Sequence, residues 1–192
     1  FYQLDVELSF VTQDDVFSSI EPILAGVFGE FSTWRVSQPP FERITYADSM
    51  LRFGSDKPDL RNPLELRDVT ALFKGSDFKA FADAAARGES IRALRAPNVA
   101  GKPRSFFDQL VTFAQGLGAG GLAYVVLGDQ PKGPIAKFLN PATLGQITEL
   151  TGAQAGDAVF FLAGTSGRIN HWASALRNRV GEALELIDKE QY

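Results

Sequence analysis

The sequence predicts an α+β fold, and three observations carry that prediction. Apolar runs of strand length alternate with apolar residues at helical spacing in the order β-α-β-β-α-β, which implies a two-layer unit with helices on one sheet face. A stretch dense in charge, Pro and turn formers, GSDKPDLRNP (residues 54–63), separates that unit from an opening strand and helices. A long amphipathic helix then leads the chain away from the unit.

Each element has its own signal. In the opening FYQLDVELSFV, Gln3, Asp5 and Glu7 alternate with Leu4, Val6 and Leu8. Alternation of this kind is a strand with one polar and one apolar face, its polar groups roughly 6–7 Å apart. That polar face is either a wet outer surface or the floor of a polar binding site, and the pattern leaves both open. Thr12-Gln13-Asp14-Asp15 is a helix start with Thr12 as N-cap and Asp15 reaching back. Val16, Ile20, Ile23, Leu24, Val27, Phe28 and Phe31 then form a helical stripe that Pro22 interrupts and should kink. Residues 32–43 read as a loop. Thr45-Tyr46-Ala47-Asp48 repeats the capping pattern before a short helix ended by Gly54.

Pro58 and Pro63 prevent GSDKPDLRNP from forming a central strand or a long helix. It reads as an ordered loop of the kind that often carries function, or else as a connecting turn whose Asp and Arg residues pair on the surface. Strands follow at Ser90–Arg95, Leu122–Leu127, Ile135–Leu139 and Ala158–Leu162, and helices at about 103–114 and 141–150. The last helix spans about 169–186, with Trp172, Ala175, Leu176, Val180 and Leu184 on one stripe. Its Arg168, Arg177 and Arg179 read as a solvated basic side.

Composition narrows the function. Apolar residues make up 45% and charged residues 22% of 192, an ordinary globular mix. A net charge of −4 supplies no field that attracts a polyanion. The absence of cysteine excludes disulfides and thiolate metal sites, and the single histidine, His171, makes an imidazole-based metal cluster improbable. No apolar run reaches the roughly 18–20 residues that span a bilayer, so a cytoplasmic location with no membrane partner is expected. The chain has no initiator Met and starts inside a strand-like pattern, so it reads as a piece of something longer.

Two glycine motifs carry little chemistry. Gly116-Leu117-Gly118-Ala119-Gly120-Gly121 follows a helix and precedes a strand, the reverse of a dinucleotide-binding turn. Gly164-Thr165-Ser166-Gly167 precedes a helix but lacks the Gly-Lys-Ser/Thr core of a phosphate loop, which leaves an ordinary N-cap.

ITYADSMLRFGSDKPDLRNPLEL (residues 44–66) resembles the segment after motif 2 in bacterial-type aspartyl-tRNA synthetases. FYQLDVELSF is similar to the second half of motif 2, and GLAYVVL, GPIAKFL, GDAVFFLAG and ALRNRVGEALELID resemble the family's inserted GAD domain and its exit helix. The resemblance implies a partial class II catalytic segment over 1–67, a GAD-like insertion over 68–163, and a helix returning to the catalytic domain over 164–192. It further implies activation of aspartate with ATP and Mg²⁺, transfer to tRNA, and a homodimeric parent.

By the same resemblance, Asp5 holds the ammonium of the substrate aspartate and Gln3 lies beside it, while Glu7 is a further, weaker correspondence. Ser55, Asp56, Lys57, Asp59 and Arg61 belong to a loop at the rim of the active site. The motif 2 arginine, motif 1, motif 3 and the anticodon-binding domain fall outside these residues. The chain alone is therefore expected to contain no catalytic or metal-binding residue, to hold no cofactor tightly and to be inactive. The alternative is a non-enzymatic GAD-type accessory module that meets tRNA or a protein partner.

Overall fold

The computed structural model describes residues 1–191, which form two compact units: Phe1–Ile44 together with the chain from Asp188, and Thr45–Ile187.

The first unit is built on α1 (Gln13–Phe31). Its capping box is present: the Asp15 amide donates to Thr12 Oγ1 at 3.4 Å, and the Thr12 amide donates to Asp15 Oδ2 at 2.8 Å. Two donors that the first turn leaves unpaired are thereby satisfied. The helix continues through Pro22. Arg43 ties the following loop to α1 through an ion pair with Asp14 and a guanidinium 4.6 Å from the Phe17 ring centroid. Near the end of the chain, the Arg35 amide donates to the Glu190 carbonyl at 2.7 Å.

The opening segment departs from expectation. Residues 1–8 pair with no other segment and form no strand. An alternating pattern supplies only the side-chain faces; a strand also needs a neighbour for its backbone donors and acceptors.

The second unit begins with α2 (Tyr46–Arg52), capped by Thr45, whose Oγ1 accepts from the Asp48 amide at 3.1 Å. After the 54–64 loop comes β1 (Leu66–Asp68), then a 3₁₀ turn at Thr70–Phe73, α3 (Lys79–Ala86) and β2 (Ser90–Ala96). The remainder is α4 (Arg104–Gly116), β3 (Ala123–Val126), α5 (Pro141–Thr151), β4 (Ala158–Gly164) and α6 (Ser166–Ala183). The four strands form one antiparallel sheet in the order β1-β2-β4-β3. Its register places Ala93 opposite Phe161, and Phe161 opposite Ala123.

The α+β class stands, but the layering differs from the expected two layers. On one face Leu94, Phe160 and Leu162 meet Phe107 and Leu110 of α4 and Ile169, Leu176 and Val180 of α6. On the other, Ile91, Ala93, Val159 and Phe161 meet Phe73, Phe81 of α3 and Ile147 of α5. The reason lies in β4: AVFFLAG is apolar at consecutive positions, so both of its faces need cover. Phe73 sits edge-on to both Phe81 and Phe161, with centroids 5.0 and 5.8 Å apart. These geometries are the favoured ones for aromatic pairs.

Three further expectations are corrected. The strand expected at 135–139 is a 3₁₀ turn at Ala136–Phe138. The chain does double back there, because Val126 and Lys132 exchange two backbone hydrogen bonds of 2.7 and 3.0 Å, but Pro134 has no amide with which to extend that ladder. The fourth strand is instead β1, only three residues long. Finally, α6 does not leave the sheet: its apolar stripe lies on it, and Trp172 donates from Nε1 to the Leu117 carbonyl at 3.0 Å.

Candidate functional site

The GSDKPDLRNP loop is an ordered structure whose shape can be built residue by residue. Phe53 ends α2, and Gly54 turns the chain with φ of +71°. A Cβ at Gly54 would stand 2.5 Å from the Asn170 carbonyl oxygen of α6, so both the backbone angle and the close approach require glycine. Ser49 Oγ donates to the Ser55 carbonyl at 2.6 Å, and the Lys57 amide donates to Ser55 Oγ at 3.1 Å. Lys57 Nζ reaches Asp56 Oδ2 at 3.0 Å on the exposed crest, and this contact lowers the Asp56 pKa.

Asp59 and Arg61 form a tighter pair. Arg61 donates from Nε and Nη2 to the two carboxylate oxygens of Asp59 at 2.9 and 2.8 Å, and its amide adds a third bond at 3.0 Å. The two-pronged contact holds the Asp59 carboxyl below its ordinary range.

Sequence reasoning missed the residue at the centre of this loop. Arg177 of α6, expected on a solvated surface, is 1% exposed. Its Nε donates to the Leu64 carbonyl at 2.6 Å, and its Nη2 donates to the carbonyls of Asn62 and Asp59 at 2.6 and 2.9 Å. The guanidinium carbon lies 4.9 Å from the Phe53 ring centroid. Burial lowers the Arg177 pKa, with Asp59 and Glu65 opposing that shift. Asn62 answers from the loop: its Nδ2 donates to the Arg177 carbonyl at 3.1 Å and its Oδ1 accepts from the Leu64 amide at 3.1 Å. Gly181 makes room, since a Cβ there would fall 2.5 Å from Asn62 Nδ2. One signal in the sequence could have found this face. Asn170, Ser174, Arg177 and Gly181 follow helical spacing on α6 beside the apolar stripe.

Beyond the loop, Glu65 accepts from Arg52 Nε and Nη2 at 3.2 and 2.7 Å and from Arg67. Hydrogen bonding to Arg52 first, then to Arg67, pulls its pKa from 4.5 to about 2. Glu65 and Arg67 also line a cavity of about 340 Å³ with Pro63, Leu64, Arg95 and Leu186. A separate cavity of about 440 Å³ lies beside β3, walled by Phe78, Phe81, Leu122 and Ile135 and by the Arg87–Glu89 pair; none of the expected site residues lines it.

In the first unit, Gln3 Nε2 donates to Asp5 Oδ1 at 3.2 Å, so these two side chains lie on the same side of the chain. Gln3, Asp5 and Glu7 are all exposed, and His171 on α6 is exposed as well. Among the described residues no group of three or more His, Asp or Glu side chains is gathered to hold a metal ion. Among the same residues no helix is long and apolar enough to cross a membrane.

The GAD domain family model matches residues 81–172, a stretch that includes β2, α4, β3, α5 and β4. The whole chain is 52% identical to the aspartate–tRNA(Asp/Asn) ligase of Acidiphilium cryptum and 51% identical to that of Paramagnetospirillum magneticum, over 194 residues in each case. With that of Gluconobacter oxydans it shares 49% over 195 residues. Each alignment covers 100% of this chain but only 33%, 22% and 33% of the respective relative. Along its whole length the chain is similar to bacterial aspartate–tRNA(Asp/Asn) ligases, and it spans a third or less of the length of each of these relatives.

Proposed function

We propose that this chain is part of an aspartate–tRNA ligase that activates aspartate with ATP and Mg²⁺ and transfers the aspartyl group to tRNA. The observation that carries the reading is identity near 50% along the whole chain, including both the 54–63 loop and the GAD domain. The relatives are named for both the Asp and the Asn tRNA, and the same dual acceptance is proposed for the full-length protein. A cytoplasmic homodimer with no membrane partner completes the proposal.

Within it, Asp5 binds the ammonium of aspartate, Gln3 orients Asp5, and Glu7 extends the polar face. A carboxylate suits an ammonium because a charge-assisted hydrogen bond is about twice as strong as a neutral one. Ser55, Asp56, Lys57, Asp59 and Arg61 form the rim of the pocket. The functional division runs 1–67, 68–163 and 164–192: catalytic segment, insertion, and returning helix. No residue of this chain carries the chemical step; these residues bind and orient, and catalysis by positioning is the family's mode.

Aspartate-dependent ATP–pyrophosphate exchange tests the reading. The full-length protein is expected to show exchange, and Asp5→Asn in that protein is expected to raise KM for aspartate at least tenfold. The 192-residue chain is expected to show none. Measurable exchange by the chain alone overturns the claim of inactivity. A full-length protein that binds tRNA but lacks exchange points to the accessory module instead.

A further inference from the structure

We infer that Arg177 is the positioning residue of the 54–64 loop, setting the geometry of the Asp59–Arg61 pair from within α6. The proposed place of that pair at the rim of the aspartate pocket rests on the ligase reading above; the loop geometry itself does not.

The chemistry of the site carries the inference. Three backbone carbonyls, from Asp59, Asn62 and Leu64, turn inward and meet one guanidinium. Those hydrogen bonds go to neutral oxygens, so Arg177 brings a cation into the interior without a carboxylate bonded to it. Desolvating a charge is costly, and an apolar side chain of similar volume commonly packs such a place as well or better. A residue serving stability alone would not be an arginine here.

What only arginine supplies is a planar fork of donors with a flat face. The fork satisfies all three carbonyls while the face lies on Phe53, 4.9 Å from its ring centroid. Without the fork, the buried Asn62 and Leu64 carbonyls lose this donor, and the half-buried Asp59 carbonyl keeps only the Asn62 amide at 3.3 Å, so the loop has to rearrange to hydrate them. Lysine offers a point charge with no plane, so it satisfies part of the set and loses the stacking.

The contact is also reciprocal. Arg177 holds loop carbonyls, and Asn62 of the loop holds the Arg177 carbonyl. Asp59 is the residue through which this reaches the surface: its carbonyl binds Arg177 while its carboxylate binds the half-buried Arg61. Moving the Asp59 backbone moves both partners of the surface pair together. A displacement near 1 Å of such a group can reduce turnover about 100-fold.

Arg177→Met and Arg177→Lys, each with two readouts, test the inference. In the 192-residue chain, amide hydrogen exchange is followed at Asn62 and Leu64 and at Phe161 of β4. Both variants are expected to accelerate exchange at the loop amides at least tenfold while the Phe161 amide keeps its protection. In the full-length protein, aspartate-dependent exchange of pyrophosphate is expected to lose about 100-fold in kcat/KM with methionine, and lysine is expected to restore only a minor part. The aspartate KM is expected to change more than the ATP KM.

Loop amides that remain protected overturn the inference, as do loop and sheet amides that lose protection together. Loop amides that open with kcat/KM unchanged overturn its functional half. Full-length wild-type protein without aspartate-dependent exchange overturns the ligase reading instead, and the amide data still decide whether Arg177 sets the loop.

Discussion

Residues 45–187 bury apolar side chains on both faces of a sheet, whereas α1 carries an apolar stripe just as regular and buries none of it. No described residue of the unit formed by 1–44 and the chain from Asp188 is buried. Local order is nevertheless good in both regions: α1 has its capping box, and α2 has its Thr45 cap. The difference teaches that capping and periodicity make a helix, while a core requires a second apolar surface facing the first. The polar groups divide the same way. Arg177 is enclosed by backbone carbonyls, while Gln3 and Asp5 bond only to each other among the hydrogen bonds described for them.

Substitutions in the two regions should separate them by size of effect. The largest loss is expected from Phe161→Ala, which empties a site packed against Phe73 and Phe81: about 3–5 kcal/mol in urea unfolding. A loss below 1 kcal/mol would mean that this face of the sheet is not tightly packed.

An intermediate effect belongs to Glu65. Its folded pKa lies below its unfolded value, so its contribution is complete above about pH 4.5 and disappears as pH falls toward about 2. Glu65→Gln should therefore be less stable than wild type at pH 6, and the gap should close over that acid window. A gap that is constant with pH would remove the ion pairs as its cause.

Smaller still, Thr12→Ala should cost about 1 kcal/mol of α1 stability, read from exchange of its first-turn amides. Val27→Ala, on the uncovered stripe of α1, should stay within about 0.5 kcal/mol of wild type. A loss as large as that at Phe161 would show that α1 is covered in solution, and the comparison between the two regions would fall.

Much was legible because it was local. Thr12 with Asp15 and Thr45 with Asp48 announced helix starts through residues three apart, and both caps are present. The apolar runs at 122–127 and 158–162 marked β3 and β4, and turn formers marked the 54–63 loop as non-helical. The family resemblance was legible as well, since GSDKPDLR is specific and the weaker segments lie in order around it.

Errors arose where a neighbour decided the outcome. Leu66–Asp68 is too short to show a period, and it is a strand only because Leu94, Ala93 and Arg92 pair with it. Ile135–Leu139 has strand-like composition, yet Pro134 stands where a ladder donor would be needed. Arg177 is written in the sequence like Arg168 and Arg179, set apart only by the helical spacing it shares with Asn170, Ser174 and Gly181.

The sequence by itself determined where the chain turns, where its helices begin and which family it resembles, because those features depend on nearby residues and on residue identity. Only the tertiary structure decided that helices cover both sheet faces, that α6 stays on the sheet, and that Arg177 is buried beneath the 54–64 loop. The physical reason is that burial and hydrogen-bond partnership are properties of pairs, and these pairs are far apart in sequence: Arg177 meets Asp59 across 118 positions and Leu64 across 113.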